Sequence, residues 1–557
     1  MKHFLFSIIF GVVFSLNAQQ KESPKLVVGI VVDQMSYEYL YRFYDKFGDD
    51  GFKLMMNKGT NCRNMHYNYV PTFTGPGHAS IYTGTTPSNH GIVANDWYRR
   101  SSGEIENCVA DSTVHSIGSS TKNGIYSPFN LKANTITDQL KLTYSTSKVI
   151  SISIKERGSI LPGGHLSDGS YWLDYETGNF ITSSFFKEKL PNWLVEFNAM
   201  NYPDESLKKT WDTYYPIEQY TASGPDNSPY EYPIGNTTKP VFPYDLTKII
   251  IDRDQFKTEA EYLEAKHLIF TTSPFANTHL VNLAMKAIES EGMGKDNQTD
   301  MLCMSFSSTD IVGHYFGPYA VELQDMYIRL DLEIARLIKY LNETVGEDEF
   351  TIFLTADHAV VPVPQFMLDH KLPGGYLFTD EPEAELRKTL VYKYGADVMS
   401  EIDNNNIYLN RPEISKLGLN LSEVAAFVSD EVKQWDHIKR VYTEDELYIG
   451  GSDDEWMDMV RRGHYNVESG DLIYVLQPGY LPKSVDIKEA RMGTSHGSQF
   501  NYDTQVPMLW YGKNIPSQEI HRSMNITDIS ATLTQLLYLQ SPNALTGKPI
   551  LEILDKK

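Results

Sequence analysis

The chain has 557 residues, with 49 Lys and Arg against 72 Asp and Glu, a formal net charge of −23, and is long enough for several domains or one large domain with insertions. So acidic a surface repels a phosphate backbone and excludes nucleic-acid binding through a basic patch; an anionic substrate needs local positive charge. Three cysteines, Cys62, Cys108 and Cys303, are too few for a disulfide framework, although one pair could form.

The first eighteen residues, MKHFLFSIIFGVVFSLNA, carry Lys2, run apolar from Phe4 to Leu16 and end on the small Ala18. This pattern predicts a signal peptide over residues 1–18 and a periplasmic or secreted protein. The apolar run is shorter than the roughly 18 residues of a spanning helix, which argues against a membrane anchor. Next, KLVVGIVVDQM runs apolar into Asp33, as a strand buried on both faces of a parallel sheet does. PTFTGPGHASIYTG then sets Thr74 before a glycine-rich turn and a helical run. A threonine beside Gly and Pro is ordinary turn chemistry; as a nucleophile, Thr74 needs a base or a metal ion. His78 reads as a structural histidine.

IVAND supplies Asn95, and SISIKERGSI places Lys155 and Arg157 two apart, facing the same way on an extended segment. By themselves they read as a solvated charged pair. Residues 180–265, rich in Tyr, Pro, Asn and Asp, form a first predicted insertion. DMLCMSFSSTD runs apolar into Asp310, and TDIVGH puts His314 four residues on, one helical turn away, so that a carboxylate and an imidazole can share a cation. VELQDMYIRLDLEIARLIKYL has the three- and four-residue apolar spacing of a helix. FTIFLTADH is a further strand, ending at Asp357 and His358, and residues 365–485 are a second predicted insertion. GTSHGS holds His496 in a small-residue loop, QVPMLWYG is a late strand, and Thr527 or Asp528 caps the helix in TDISATLTQLLYL.

Strands alternating with helices predict an α/β catalytic domain over residues 24–557, with a mostly parallel central sheet, helices on both faces and the two insertions over the active-site edge. Ligands bind beyond the carboxyl ends of such strands, where Asp33, Asp310, Asp357 and His358 stand. Any one of these motifs alone reads as a turn or a cap. Together, three Asp, three His and Thr74 offer two sets of oxygen and nitrogen ligands suited to zinc, and two metals about 3.5–4 Å apart clamp both oxygens of an in-line displacement.

In that order, VVDQM, PTFTGPGHASIYTG, HGIVAND, IKERGSI, SSTDIVGHYFG, TADHAV and GTSHGS resemble the alkaline phosphatase superfamily, most of all the PafA-type bacterial zinc phosphomonoesterases. The resemblance implies an alkaline-phosphatase-like fold with two Zn2+ per chain, one held by Asp310, His314 and His496 and the other by Asp33, Asp357 and His358. It implies Thr74 on the second zinc as the nucleophile of a covalent phospho-threonine intermediate, with backbone N–H groups of Gly75 to Gly77 aimed at the phosphate. Asn95, Lys155 and Arg157 would grip the transferred phosphoryl group. The lysine would take the place of a magnesium site found in other members, so no Mg2+ is expected. Small phosphate monoesters are the expected substrates, and a monomer the expected state. A phosphodiesterase or nucleotide pyrophosphatase on the same core is the alternative. The Cys-x-Pro-x-Arg nucleophile motif of sulfatases is absent, the related mutases use Ser and manganese and would not need export, and a non-catalytic descendant would have lost a ligand or Thr74.

Overall fold

Seven consecutive apolar residues, Leu26–Val32, form strand β1, and every one is buried, as a run without alternation requires when helices cover both faces of a sheet. The computed structural model describes residues 22–249, 252–449, 454–483 and 491–554; the expected signal peptide at 1–18 lies outside the described residues. In chain order β1 is followed by β2 (Thr60–Cys62), β3 (Ser116–Ile117), β4 (Val149–Ser153), β5 (Gly169–Asp174), β6 (Asn179–Ser183), β7 (Asp300–Phe306), β8 (Phe350–Thr355), β9 (Met508–Gly512) and β10 (Gln518–Ile520). They make one ten-stranded sheet in the order β10-β2-β9-β8-β1-β7-β4-β5-β6-β3. From β8 through β5 the neighbours are parallel. The β8–β9, β9–β2, β5–β6 and β6–β3 pairings are antiparallel. The late strand QVPMLWYG therefore runs against the parallel core, as β6 does, a direction its apolar residues do not encode.

The helices that position the site are α1 (Thr74–Thr83), α2 (Glu156–Gly163), α3 (Phe275–Glu291), α4 (Ser308–Phe316), α5 (Val321–Thr344) and α6 (Asp528–Leu536). α5 buries Leu323, Met326, Leu330, Ile334, Leu337 and Leu341, a stripe at helical spacing in which each side chain contributes about 1.5–3 kcal/mol. All ten residues of α1 are buried, which explains why that segment shows no polar face. At α6 the boundary falls at Thr527, but its side chain makes no capping bond. Asp528 instead accepts from the backbone of Asn525 and Lys548, tying two loops to the helix.

The first predicted insertion starts inside the sheet, since β6 occupies residues 179–183. Its later part leans on α5 through Asp325, whose carboxylate accepts from Trp211 Nε1 at 2.7 Å and the Tyr220 hydroxyl at 2.5 Å. The second region carries a separate four-stranded sheet, made of Met399–Asp403, Asn406–Leu409, Leu472–Leu476 and Ile438–Thr443, over its own apolar cluster of Leu390, Val428 and Leu472. The three cysteines are buried and unpaired. Among the described residues no helix is long and apolar enough to cross a membrane.

Candidate active site

Four adjacent parallel strands end at one edge and deliver the site. Asp357 and His358 follow β8, Asp33 follows β1, Asp310 and His314 lie on α4 just past β7, and Lys155 and Arg157 follow β4. Thr74 is the first residue of α1, and His496 arrives on a loop before β9. Asp33, Thr74, Asp310, Asp357 and His358 are at most 3% exposed, and His496 is 9% exposed. α1 reaches this edge because Gly77 lies directly against the backbone of Asp357, where a Cβ would overlap the Asp357 carbonyl. That contact brings Thr74 Oγ1 to 3.5 Å from His358 Nε2.

The three imidazoles are oriented alike. Nδ1 of His314 lies 2.7 Å from the Thr494 carbonyl, that of His496 2.8 Å from Thr72 and that of His358 3.0 Å from Ala359. A carbonyl only accepts, so each Nδ1 carries the proton and each neutral ring presents its Nε2 lone pair. Those nitrogens face carboxylates: His314 and His496 lie 3.0 and 3.7 Å from Asp310 Oδ1, and His358 lies 3.4 Å from Asp33 Oδ1. The side chains gather into two groups able to hold a cation, Asp310 with His314 and His496, and Asp33 with Asp310 and His358. The first is the triad expected from TDIVGH and GTSHGS. In the second, Asp310 stands where the sequence reading put Asp357, whose Oδ2 is 3.6 Å from His358 Nε2; Asp310 belongs to both groups.

Asp33 Oδ1 and Asp357 Oδ2 are buried without a hydrogen-bond partner. Such oxygens are costly unless a cation meets them, and carboxylates with imidazole Nε2 atoms form a donor set suited to zinc. Burial, with Asp310 and Asp357 nearby, pushes the Asp33 carboxyl well above its usual range. Burial lifts Asp357 to about 6. At Asp310 burial acts upward, but His314 and Lys155 outweigh it and hold the group well below the usual range. Burial lowers His358 to about 3, and burial with His358 and His314 holds His496 far down. The His358 and His496 rings are thus kept neutral, the form that ligates metal, whereas at His314 burial acts downward but the Asp310 carboxylate outweighs it and raises the group.

Lys155 is the N-cap of α2 and Arg157 lies in its first turn, so the pair is not on an extended segment as its spacing suggested. The chain turns there because Ser153 Oγ accepts from the Lys155 N–H at 3.2 Å. Lys155 Nζ bridges Asp33 Oδ2 at 2.7 Å and Asp310 Oδ2 at 2.5 Å, as a further cation would. Arg157 Nη1 lies 3.1 Å from Glu156 Oε1 and 3.9 Å from Asp96 Oδ2. Aligned with neither, its buried Nε and Nη1 make no hydrogen bond. Asn95 Oδ1 accepts from the Gly75 N–H at 2.7 Å, which leaves the Asn95 amide N–H groups to donate. That bond corrects one expectation: the Gly75 N–H is taken by Asn95, the Gly77 N–H by the Phe73 carbonyl at 2.8 Å, and residue 76 is proline. The N–H groups at the start of α1 are therefore already taken, that of Gly75 by a side chain from another loop.

His78 bridges the Thr74 carbonyl and Ser305 Oγ, each at 2.8 Å, and burial lowers it to about 4, as a structural histidine requires. The sequence reading passed over Gln34. Its backbone N–H donates to Asp357 Oδ1 at 3.2 Å and its Nε2 to Asp310 Oδ1 at 2.7 Å, from a left-handed backbone with φ of 64°. The absence of a side chain at Gly313 leaves room for that amide. Only its place directly after Asp33 marks it in the sequence.

The family described as type I phosphodiesterase / nucleotide pyrophosphatase matches residues 27–499. The chain is 38% identical to alkaline phosphatase PafA of Elizabethkingia meningoseptica over 99% of its length and 98% of that protein's. It is 38% identical to a calcium-transporting ATPase of Myroides odoratus over 98% and 97% of the two chains, and 35% identical to alkaline phosphatase PhoV of Synechococcus elongatus over the whole of both. The crystal structure of wild-type PafA superposes with a TM-score of 0.89, covering 97% of this chain and 100% of that one. A PafA variant replaced at one threonine, one asparagine, one lysine and one arginine superposes with the same score at 37% identity.

Proposed function

The chain belongs to the type I phosphodiesterase / nucleotide pyrophosphatase family within the alkaline phosphatase superfamily, and on that premise we propose that it is an alkaline phosphatase that hydrolyses phosphate monoesters to inorganic phosphate and an alcohol. The observation that carries the choice of a monoester is the pair of cations at the start of α2, Lys155 lodged between Asp33 and Asp310 and Arg157 with buried, unpartnered N–H groups. The four residue types replaced in the PafA variant, in the same chain order, are those of Thr74, Asn95, Lys155 and Arg157, which supports assigning these four to the reacting group.

Two zinc ions, held by Asp310, His314 and His496 and by Asp33, Asp357 and His358, would lower the pKa of the Thr74 hydroxyl and neutralise charge on the reacting oxygens. Thr74 Oγ attacks phosphorus, the ester P–O bond breaks, and the alcohol leaves with a proton. Water then attacks the phospho-threonine, returning the Thr74 hydroxyl and inorganic phosphate. Arg157 offers a two-pronged donor, Asn95 its amide and Lys155 a point charge to the non-bridging oxygens. Counting both divalent ions, three aspartates, Lys155, Arg157 and a deprotonated Thr74, the site carries an excess of about two positive charges, matched by a monoester dianion and not by a diester monoanion. The family's printed description also covers diester and pyrophosphate chemistry, which remains the second reading. Lys155 in the position of a further cation argues against a magnesium requirement. The signal-like pattern of residues 1–18 supports export.

The test is kcat/KM for phenyl phosphate in wild type and Thr74→Ala, with metal content measured before and after chelation and zinc return. The reading requires a loss of roughly 10⁴-fold or more in the variant and zinc-restored activity in wild type. A Thr74→Ala enzyme with near wild-type rate, or full activity after chelation, contradicts it.

A further inference from the structure

A cavity of about 390 Å³ opens beside the site, between the main sheet and the second inserted region. It falls in the size range of small-molecule pockets. His496 and Phe73, the residue before Thr74, form one end, and the turn at Asn404 and Asn405 between Met399–Asp403 and Asn406–Leu409 forms the other. That turn is fastened to the phosphoryl side of the site, because Asn404 Nδ2 donates to the Asp96 carbonyl at 2.7 Å and Asp96 follows Asn95. An ester group leaving Thr74 past Phe73 and His496 would enter this space.

Resting on the monoesterase reading, we infer that the cavity is the leaving-group subsite and that it selects uncharged, polyhydroxylated alcohols, so that sugar phosphates are the favoured substrate class. The aromatic rings of its wall are already engaged. Phe73 meets His496 edge-on at 5.5 Å, Tyr480 stacks on His437 at 4.0 Å, and Phe500 meets Trp456 edge-on at 5.6 Å. The unused capacity lies in amides. Gln499 Nε2 is buried without a partner, and among the described residues the Asn405 side chain makes no hydrogen bond. An amide offers both a donor and an acceptor, which a hydroxyl matches in either sense, and a buried unpaired amide favours any ligand that satisfies it. The charged residues of the wall, Asp403, Glu383 and Lys483, are of both signs, and Glu383 is paired with Arg387 at 2.9 Å, so the described residues of the wall offer no cationic patch to an anionic leaving group.

The experiment measures kcat/KM for glucose 6-phosphate, cyclohexylmethyl phosphate, adenosine 5′-monophosphate and phenyl phosphate in the zinc-loaded wild type and in the Asn405→Gly, Gln499→Met double variant. Glycine is used at Asn405 because its φ is 63°, where alanine would be strained. Wild type should prefer glucose 6-phosphate to the ring of equal size without hydroxyls by about tenfold, and the ratio of glucose 6-phosphate to phenyl phosphate should fall about tenfold in the variant, the effect of one or two lost hydrogen bonds. The wild-type comparison needs no variant to fold. Equal rates on the two ring substrates, or an unchanged ratio in the variant, overturn the subsite while leaving the monoesterase reading intact. A selective loss on adenosine 5′-monophosphate alone replaces the polyol with a nucleoside and overturns the stated class. Wild type inactive on all four esters overturns the monoesterase reading and the subsite with it.

Discussion

Replacing Lys155 and Arg157 by alanine should erase the preference for monoesters over diesters while sparing much of the diester chemistry. A phenyl phosphate dianion carries one more negative charge than its methyl ester. Lys155 Nζ lies 2.7 and 2.5 Å from the carboxylates that would hold the metals, so a phosphoryl group on those metals is close to this ammonium. A unit charge about 4 Å away contributes about 4 kcal/mol at an effective dielectric of about 20. Halving this for solvent, since the Lys155 and Arg157 side chains are 14% and 17% exposed, leaves about 2 kcal/mol per cation, or about 30-fold each and about 10³-fold for the pair. The assay is kcat/KM for phenyl phosphate and methyl phenyl phosphate in wild type and the double variant, with zinc content determined for both because Lys155 touches two ligands. The monoester rate should drop about 10³-fold and the diester rate far less. Parallel losses on both esters at full zinc occupancy, or a surviving monoester preference, would refute the charge argument.

Gln34→Gly removes the amide that holds Asp310 Oδ1 without straining a left-handed position. Zinc affinity in chelator competition should weaken about 10–100-fold, and unchanged affinity would show that Asp310 needs no such support. Asp503 Oδ2 accepts from the backbone of Gly497 and Ser498 beside His496, and burial raises its carboxyl from 3.8 to about 7. Between those values the folded state binds a proton that the unfolded state releases, so stability falls as pH rises from about 4 to about 7, by at most about 4 kcal/mol. Asp503→Asn keeps an acceptor oxygen and loses the titration; urea unfolding at pH 5 and pH 8 should show a flatter dependence and a more stable variant at pH 8, and an unchanged slope would remove Asp503 from the account.

The catalytic edge was legible because chemistry-bearing residues sit directly after apolar runs: Asp33, Asp310 and Asp357 each close a strand pattern in the sequence and a parallel strand region in the fold. What periodicity could not carry depended on tertiary partners. The turn that makes Lys155 a helix cap is set by one bond to Ser153, and two residues of spacing cannot distinguish it from an extended pair. The Gly75 N–H looked free to meet phosphate because the amide that takes it, Asn95, lies on another loop. Asp310 standing in both groups that could hold a cation and Gln34 bonding two carboxylates follow from side-chain direction across strands. β6 fell inside a region read as an insertion because its aromatic and polar neighbours masked a five-residue strand.

The central claim is that the phosphoryl group passes through Thr74. An isotopically chiral phenyl phosphate, turned over by the zinc-loaded enzyme with an alcohol as acceptor, reports the number of displacements at phosphorus. Two in-line transfers, onto Thr74 and then onto the acceptor, predict net retention of configuration, whereas inversion would mean direct transfer and would contradict the phospho-threonine account.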